Sequence, residues 1–138
     1  MKRLLFLLLA FLAIMQVHAQ MVDPIKWKTR VEKISETEFN LVFEGDLEPE
    51  WHLYSQFTPD GGPNPLILEF KNAQGNFQTI GKAVESKTKR AYNDIFEVDE
   101  IFFSDKFWVK QKVKIINLNL TSIDSEIDEM LYRSAMDI

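Results

Sequence analysis

Histidine is the side chain best suited to acid–base chemistry near neutral pH, and the sequence has two, His18 and His52. His18 falls in an N-terminal segment that we expect to be removed, which leaves His52 as the candidate general base. His52 lies in a predicted strand, and no G-x-S-x-G nucleophile motif accompanies it. A hydrolase that uses His52 is therefore a weak hypothesis, and an ordinary strand histidine is the better interpretation.

Carboxylates are numerous, but nothing in their spacing fixes two of them in one cleft, as glycoside hydrolysis requires. Glu48 and Glu50 flank a proline in a predicted turn. A second group comprises Asp94, Glu97, Asp99 and Glu100. A third, between positions 124 and 129, lacks the glycine and the distal glutamate of an EF-hand loop. One histidine with carboxylates is also a weak zinc site. We therefore expect a solvated acidic surface, with no metal or cofactor.

Aromatic side chains could act by anchoring a protein partner. Trp51 and Tyr54 precede a loop rich in glycine and proline. Trp108 falls on the lysine-bearing face of a predicted strand, opposite the apolar face. We expect Trp108 to be partly exposed, either as a partner anchor or packed against a neighbouring strand or lysine stem.

The N-terminal residues predict export. Lys2 and Arg3 precede an apolar run from Leu4 to Met15, and Val17 and Ala19 supply compact side chains at the −3 and −1 positions of a cleavage site. The run is shorter than the roughly 20 residues of a membrane-spanning helix. We therefore predict a helical signal peptide over residues 1–19 and, after cleavage, a periplasmic protein without a stable membrane anchor. An uncleaved anchor is the alternative.

The remaining residues, 20–138, predict one acidic domain without cysteine. The whole chain has 16 basic and 21 acidic side chains, a net charge of −5. Its one basic cluster, at 87–90, is expected to be a solvated loop, so nucleic acid is not an expected partner. The cysteine count of zero excludes disulfides, a thiol nucleophile and a redox-active pair. The stability of the domain must then come from its core.

Alternating apolar and polar residues predict about seven short strands. The predicted segments are 25–32, 38–44, 51–56, 66–70, 77–80, 95–103 and 107–115, with Leu118 and Leu120 as a further candidate. The predicted breaks are 45–50, 58–65 and 85–93, with a bend at Phe102-Phe103. In the first hairpin, Thr29 and Val31 are expected to face the core and Val42 to face water. The pattern predicts an all-β, immunoglobulin-like β-sandwich, with weak helical periodicity only in the tail, 122–138.

Four segments resemble, in order and spacing, the N-terminal periplasmic domain of the thiol:disulfide interchange protein DsbD. They are Trp51–Gln56, Gly61–Pro65, Asp94–Phe96 and Val109–Val113, within a likeness that spans about Asp23 to Met130. The resemblance implies an immunoglobulin-like sandwich that passes electrons from a transmembrane partner to periplasmic thioredoxin-like proteins through two cysteines. It also implies binding residues at Trp51, His52 and Tyr54, and at Tyr92 in a cap loop near 86–92.

The cysteines of that family are missing here. Tyr132 stands near the position of the first cysteine, and the second would fall near Met136 or Asp137. Thiol exchange needs a thiolate on each partner, so the resemblance implies a redox-inactive, non-enzymatic relative that binds a thioredoxin-like protein. A truncated or frameshifted fragment of a full-length disulfide reductase is the alternative. In either case the tail could be a degraded final strand instead of a helix.

Overall fold

The computed structural model describes residues 23–128 and 131–133, so the predicted signal peptide over 1–19 lies outside the described residues. The described residues form strands joined by turns and loops, without a helix. The strands are β1 (Ile25–Lys33), β2 (Glu38–Leu47), β3 (Trp51–Tyr54), β4 (Ile67–Phe70), β5 (Phe77–Glu85), β6 (Lys89–Asn93), β7 (Val98–Phe103), β8 (Lys106–Ile115), β9 (Ser125–Asp128) and β10 (Leu131–Arg133). Within this part of the chain there is accordingly no helix long and apolar enough to span a membrane.

The strands form three antiparallel sheets. The first sheet has the order β1-β2-β8-β5, and the second has the order β10-β3-β7-β6. A small third sheet pairs β4 with β9. Apolar side chains of the two larger sheets meet between them, as Leu53 and Phe103 do with Phe107 and Val109. The predicted all-β sandwich is therefore confirmed.

Two clusters of buried side chains form the core. The first comprises Ile25, Leu47, Leu53, Leu66, Ala83, Phe103, Phe107 and Val109. The second comprises Leu41, Phe43, Phe77 and Val113. Trp27, Leu68 and Ile127 are partly buried and pack against both clusters. These three residues join the clusters into one apolar interior, which is the main source of stability in a chain without disulfides.

The predicted hairpin of β1 and β2 is present, but the predicted end of its second strand at Gly45 is wrong. Strand β2 continues to Leu47, and Gly45 pairs with Trp27 on one side and Phe107 on the other. The rings of Trp27 and Phe107 meet edge to face at 5.4 Å above this position. Gly45 leaves room for the two rings, and the packing of the rings offsets the weak preference of glycine for strands.

The predicted loop over 85–93 is also wrong. Strand β5 runs to Glu85, past a register shift between Ile80 and Val84 at which Gly81 adopts a positive φ of 66°. Lys89–Asn93 forms β6 and pairs with β7 along its whole length. The bulge interrupts the alternation of β5, and β6 is an edge strand with mostly exposed polar side chains. Neither strand therefore shows the expected pattern.

The described residues of the tail form strands instead of the weak helix that its periodicity suggests; positions 129–130 and 134–138 lie outside the described residues. Ser125–Asp128 pairs with β4, and Leu131–Arg133 pairs with β3. Pairing with exposed strand edges outweighs a weak local helical pattern. The expected strand at Leu118 and Leu120 is absent, because residues 117–124 form a turn and irregular backbone.

Three side chains of the first hairpin lie on the expected face of the sheet but do not have the expected burial. Val42 lies on the outer face of the first sheet yet is only 1% exposed. Thr29 and Val31 point to the inner side of β1 but are exposed. Phe102 and Phe103 occupy successive positions of a regularly paired strand and are both buried, so the predicted bend is absent.

Candidate binding surface at the edge of the second sheet

The backbone of the second sheet brings two of the predicted site residues together. Strand β10 is the outermost strand beside β3, and Tyr132 lies directly opposite His52 in the antiparallel register. Residues opposite each other in such a ladder share a face. His52 shares that outer face with Phe102, because Tyr54 two positions along β3 is opposite Phe102 on β7.

His52 lies against an aromatic ring. Its imidazole stacks on Phe102 with centroids 4.4 Å apart and an interplanar angle of 25°. Partial burial lowers the pKa of His52, and the positive charge of Lys89 lowers it further, whereas the carboxylate of Asp105 raises it. The neutral imidazole is therefore the favoured form near neutral pH, and His52 lies beside β10 in the ladder.

Trp51 and Tyr54 have structural positions. Trp51 is partly buried and packs against the first core cluster. Tyr54 is buried opposite Phe102. Leu53, which precedes Tyr54 in β3, is fully buried in the core. These two aromatics therefore support the position of His52, and the sequence pattern did not separate the supporting residues from the surface one.

Tyr92 does not join this group. It lies on β6, at the opposite edge of the second sheet from β10, and is 62% exposed. The segment that the resemblance maps to a cap loop is here largely strand β6. Tyr92 therefore lies on one edge strand of the sheet, and His52 lies next to the edge strand on the other side.

One acid of the predicted solvated group is buried. Glu100 is only 5% exposed and accepts a hydrogen bond of 2.6 Å from the side-chain amide of Asn93. Asp94 and Glu97 of the same group are exposed, as expected. Among the described residues no three histidine or acidic side chains come together as a group that could hold a metal ion.

Trp108 is partly exposed, and a lysine covers part of its ring. The ammonium of Lys110 lies 4.8 Å from the centroid of the Trp108 ring. The backbone of Trp108 exchanges hydrogen bonds with Ser86, which directly precedes the basic cluster 87–90. The expected packing against a lysine stem is therefore present.

Comparisons with protein families, curated proteins and solved structures gave no match to this chain.

Proposed function

We propose that the protein is an exported partner-binding domain of the DsbD N-terminal type that does not exchange thiols. The observation that carries this proposal is the register of β10, which sets Tyr132 opposite His52. The resemblance puts the first cysteine of the family near Tyr132 and its neighbouring aromatic residues at Trp51 or His52. A cysteine at this position of β10 would lie beside those same residues, so the register supports the proposed correspondence.

Without a cysteine, the edge formed by β3 and β10 is suited to binding a partner and not to thiol exchange. The chain has no cysteine, and thiol–disulfide exchange with a partner requires an attacking thiolate. The surface retains the partly buried ring of His52, which lies on the buried ring of Phe102, and the short outer strand β10. An aromatic surface beside an edge strand suits contact with a folded protein, and we propose a periplasmic thioredoxin-like protein as that partner.

The binding test uses a periplasmic thioredoxin-like protein of the same organism, titrated into the purified protein in a calorimeter. We expect saturable binding that His52→Ala weakens by about tenfold, since a central aromatic contact contributes on that order. Tyr92→Ala is the matched control, because Tyr92 lies on the opposite edge of the same sheet, and it should leave affinity unchanged. Absence of binding, or equal effects of the two substitutions, would contradict the proposed surface.

Two further measurements test the remaining parts of the proposal. The purified protein should not accelerate reduction of insulin disulfides, and any such activity would refute the non-catalytic assignment. Protein recovered from the periplasmic fraction of an expressing bacterium should begin at Gln20. A chain that retains Met1 and sediments with membranes would contradict export by a cleaved signal peptide.

A further inference from the structure

Strand β1 has one paired and one open edge. It pairs with β2 along all nine residues, and it ends the first sheet, so no strand among the described residues borders its other side. An open edge presents a row of main-chain N–H and C=O groups that another extended chain can pair with. This edge is separate from the β3–β10 edge proposed above, and the inference below does not depend on that proposal.

The inner side of β1 opens into an apolar groove. Thr29 and Val31 lie opposite the core residues Phe43 and Leu41 in the β1–β2 ladder, so they point to the interior side of the sheet. Val31 is nevertheless 64% exposed. A groove of about 430 Å³ runs beneath these two residues, with Leu118, Leu120 and Ile123 on its far wall. Leu118 is itself 77% exposed, so the sandwich interior is uncovered along this strand.

The outer side of β1 is basic. Lys26, Lys28 and Arg30 alternate with the inward residues and point to the outer face. Arg30 is bound by Glu32 and Glu44. Lys26 and Lys28 lie across from Asp46 and Glu44 in the ladder, but neither forms an ion pair with a described residue. Two ammonium groups are therefore available beside the open edge.

We propose that β1 accepts an additional strand from a partner protein, and that this strand alternates apolar residues with carboxylates. Main-chain hydrogen bonds to β1 would hold the added strand in the sheet. Its inward side chains would fill the groove beside Val31 and Leu118. Its outward carboxylates would lie next to Lys26 and Lys28. Successive side chains of an extended strand point to opposite faces. One set would therefore meet the apolar groove, which favours apolar side chains, and the other set would meet the basic outer side of β1, which favours carboxylates.

A second copy of this chain fits the edge less well. If two β1 strands pair antiparallel about Lys28, Thr29 or Arg30, at least one pair of cations lies face to face across the ladder. Like charges directly opposite each other destabilise a sheet. The charge row of β1 therefore opposes self-pairing and favours an acidic strand.

The probe is a fluorescent synthetic peptide of about eight residues that alternates valine with glutamate, a length typical of a strand. Its binding to the purified protein is measured by fluorescence anisotropy. A peptide that alternates valine with lysine is the charge control, and we expect it to bind at least about tenfold more weakly. Equal binding of the two peptides would overturn the proposal, because the basic row would then have no role.

Methylation of the peptide amides tests strand pairing directly. Only every second amide of an edge-paired strand points to its neighbour. We therefore expect N-methylation of one alternate set of amides to abolish binding and methylation of the other set to preserve it. If both sets weaken binding equally, or neither does, the peptide is not held as an added strand and the proposal fails.

Two pairs of matched variants locate the site. Val31→Asp should weaken peptide binding about tenfold or more by placing a charge in the groove, whereas Val84→Asp, at an exposed valine on the outer face of β5, should not. Lys28→Gln should weaken binding about two- to fivefold, and Lys114→Gln on β8 should leave it unchanged. Binding that ignores Val31→Asp would overturn the proposal. So would a stable dimer of the protein that Val31→Asp dissociates, because it would show that a second copy occupies the edge.

Discussion

The pKa of His52 is lowered by burial and by one neighbouring cation. Stacking on Phe102 removes water from one face of the imidazole, and the ammonium of Lys89 adds repulsion for a second positive charge. Asp105 opposes both effects but does not outweigh them. Protonation of this side chain therefore disfavours the folded state, and His52 couples the stability of the fold to pH.

We predict that the free energy of unfolding falls between about pH 7.5 and 5.5 because of His52. In the unfolded chain the imidazole titrates near 6.5, and in the folded protein its pKa is lower, so the unfolded chain takes up the proton first as pH falls. Urea unfolding at both pH values should show a smaller loss of stability for His52→Gln than for the natural protein. The salt-bridged carboxylates of Glu32 and Glu36 also have lowered pKa values, but they destabilise the fold only below about pH 4.5. Equal pH dependence of the two proteins would contradict this assignment.

Val42 shows how charged side chains can bury an apolar one on an outer face. Arg30 on β1 and Lys110 on β8 lie directly to either side of it in the ladder. Glu32 contacts both cations, and Lys110 also lies over the Trp108 ring. The hydrocarbon stems of these long side chains cover the valine while their charged ends remain in contact with water.

We predict that Val42→Thr destabilises the protein by about 1–3 kcal/mol, because a hydroxyl in this position would be buried without a partner. Val84 provides the control, since it is an exposed valine on the same outer face, beside Lys110. Val84→Thr should change the free energy of unfolding by less than about 0.5 kcal/mol. Thermal unfolding followed by circular dichroism measures both variants. Similar small effects would mean that water reaches Val42.

At Gly45, strand β2 packs closely against aromatic residues of the two neighbouring strands, Trp27 on β1 and Phe107 on β8. A Cβ at this position would overlap the ring of Phe107 and lie 3.0 Å from Cγ2 of Ile25. Phe107 cannot move away easily, because it is buried and stacks on Phe103 with centroids 4.8 Å apart. The glycine is therefore required by close packing at the centre of the first sheet, although it reads as a strand break in the sequence.

We predict that Gly45→Ala destabilises the protein by about 1–3 kcal/mol through overpacking. Phe107→Leu alone should also destabilise it, by leaving a cavity beside Trp27. The double variant should be more stable than the sum of the two single effects, since the smaller leucine makes room for the new methyl group. Additive effects in a double-mutant cycle of urea unfolding would contradict direct contact between these two positions.

The strands that could be predicted from sequence are those in which apolar and polar residues alternate. Strands β1 and β8 alternate clearly, and the structure places both close to their expected bounds. Strand β6 could not be found, because it is an edge strand whose side chains are mostly exposed, and the bulge at Gly81 hid the second half of β5. Pairing of the tail with β4 and β3 joins residues far apart in the chain, and no local pattern encodes such pairing.

The candidate surfaces also depend on contacts between residues far apart in the chain, which local sequence patterns do not reveal. His52 could be singled out from its residue type, but its stacking on Phe102 depends on the register between β3 and β7. Tyr54 was expected at a binding surface, and Glu100 was expected on a solvated face. Both side chains are buried. The groove beside β1 had no sequence signal, because Thr29 and Val31 follow the pattern of core residues. Thr29 and Val31 are exposed because no described element of the opposing layer packs against them.

The two core clusters are joined by a few partly buried side chains, and one of these belongs to the tail. Ile127 on β9 contacts both clusters, as do Trp27 on β1 and Leu68 on β4. Leu68 and Ile127 are also opposite each other in the β4–β9 ladder. The tail is therefore a structural part of the sandwich, and in a chain without disulfides no covalent link replaces it.

We predict that a chain ending at Ser122 loses cooperative unfolding, because it lacks β9 and β10 and so uncovers Leu68 and the edge of β3. A chain ending at Arg133 is the matched control, since it retains both strands and should unfold like the natural protein. Size-exclusion chromatography should show aggregation of the shorter chain only, and calorimetry should show a sharp thermal transition for the control only. A sharp transition at an unchanged temperature in the shorter chain would mean that the two large sheets close their core without the tail. Loss of the transition in both chains would instead place the stabilising contacts after Arg133.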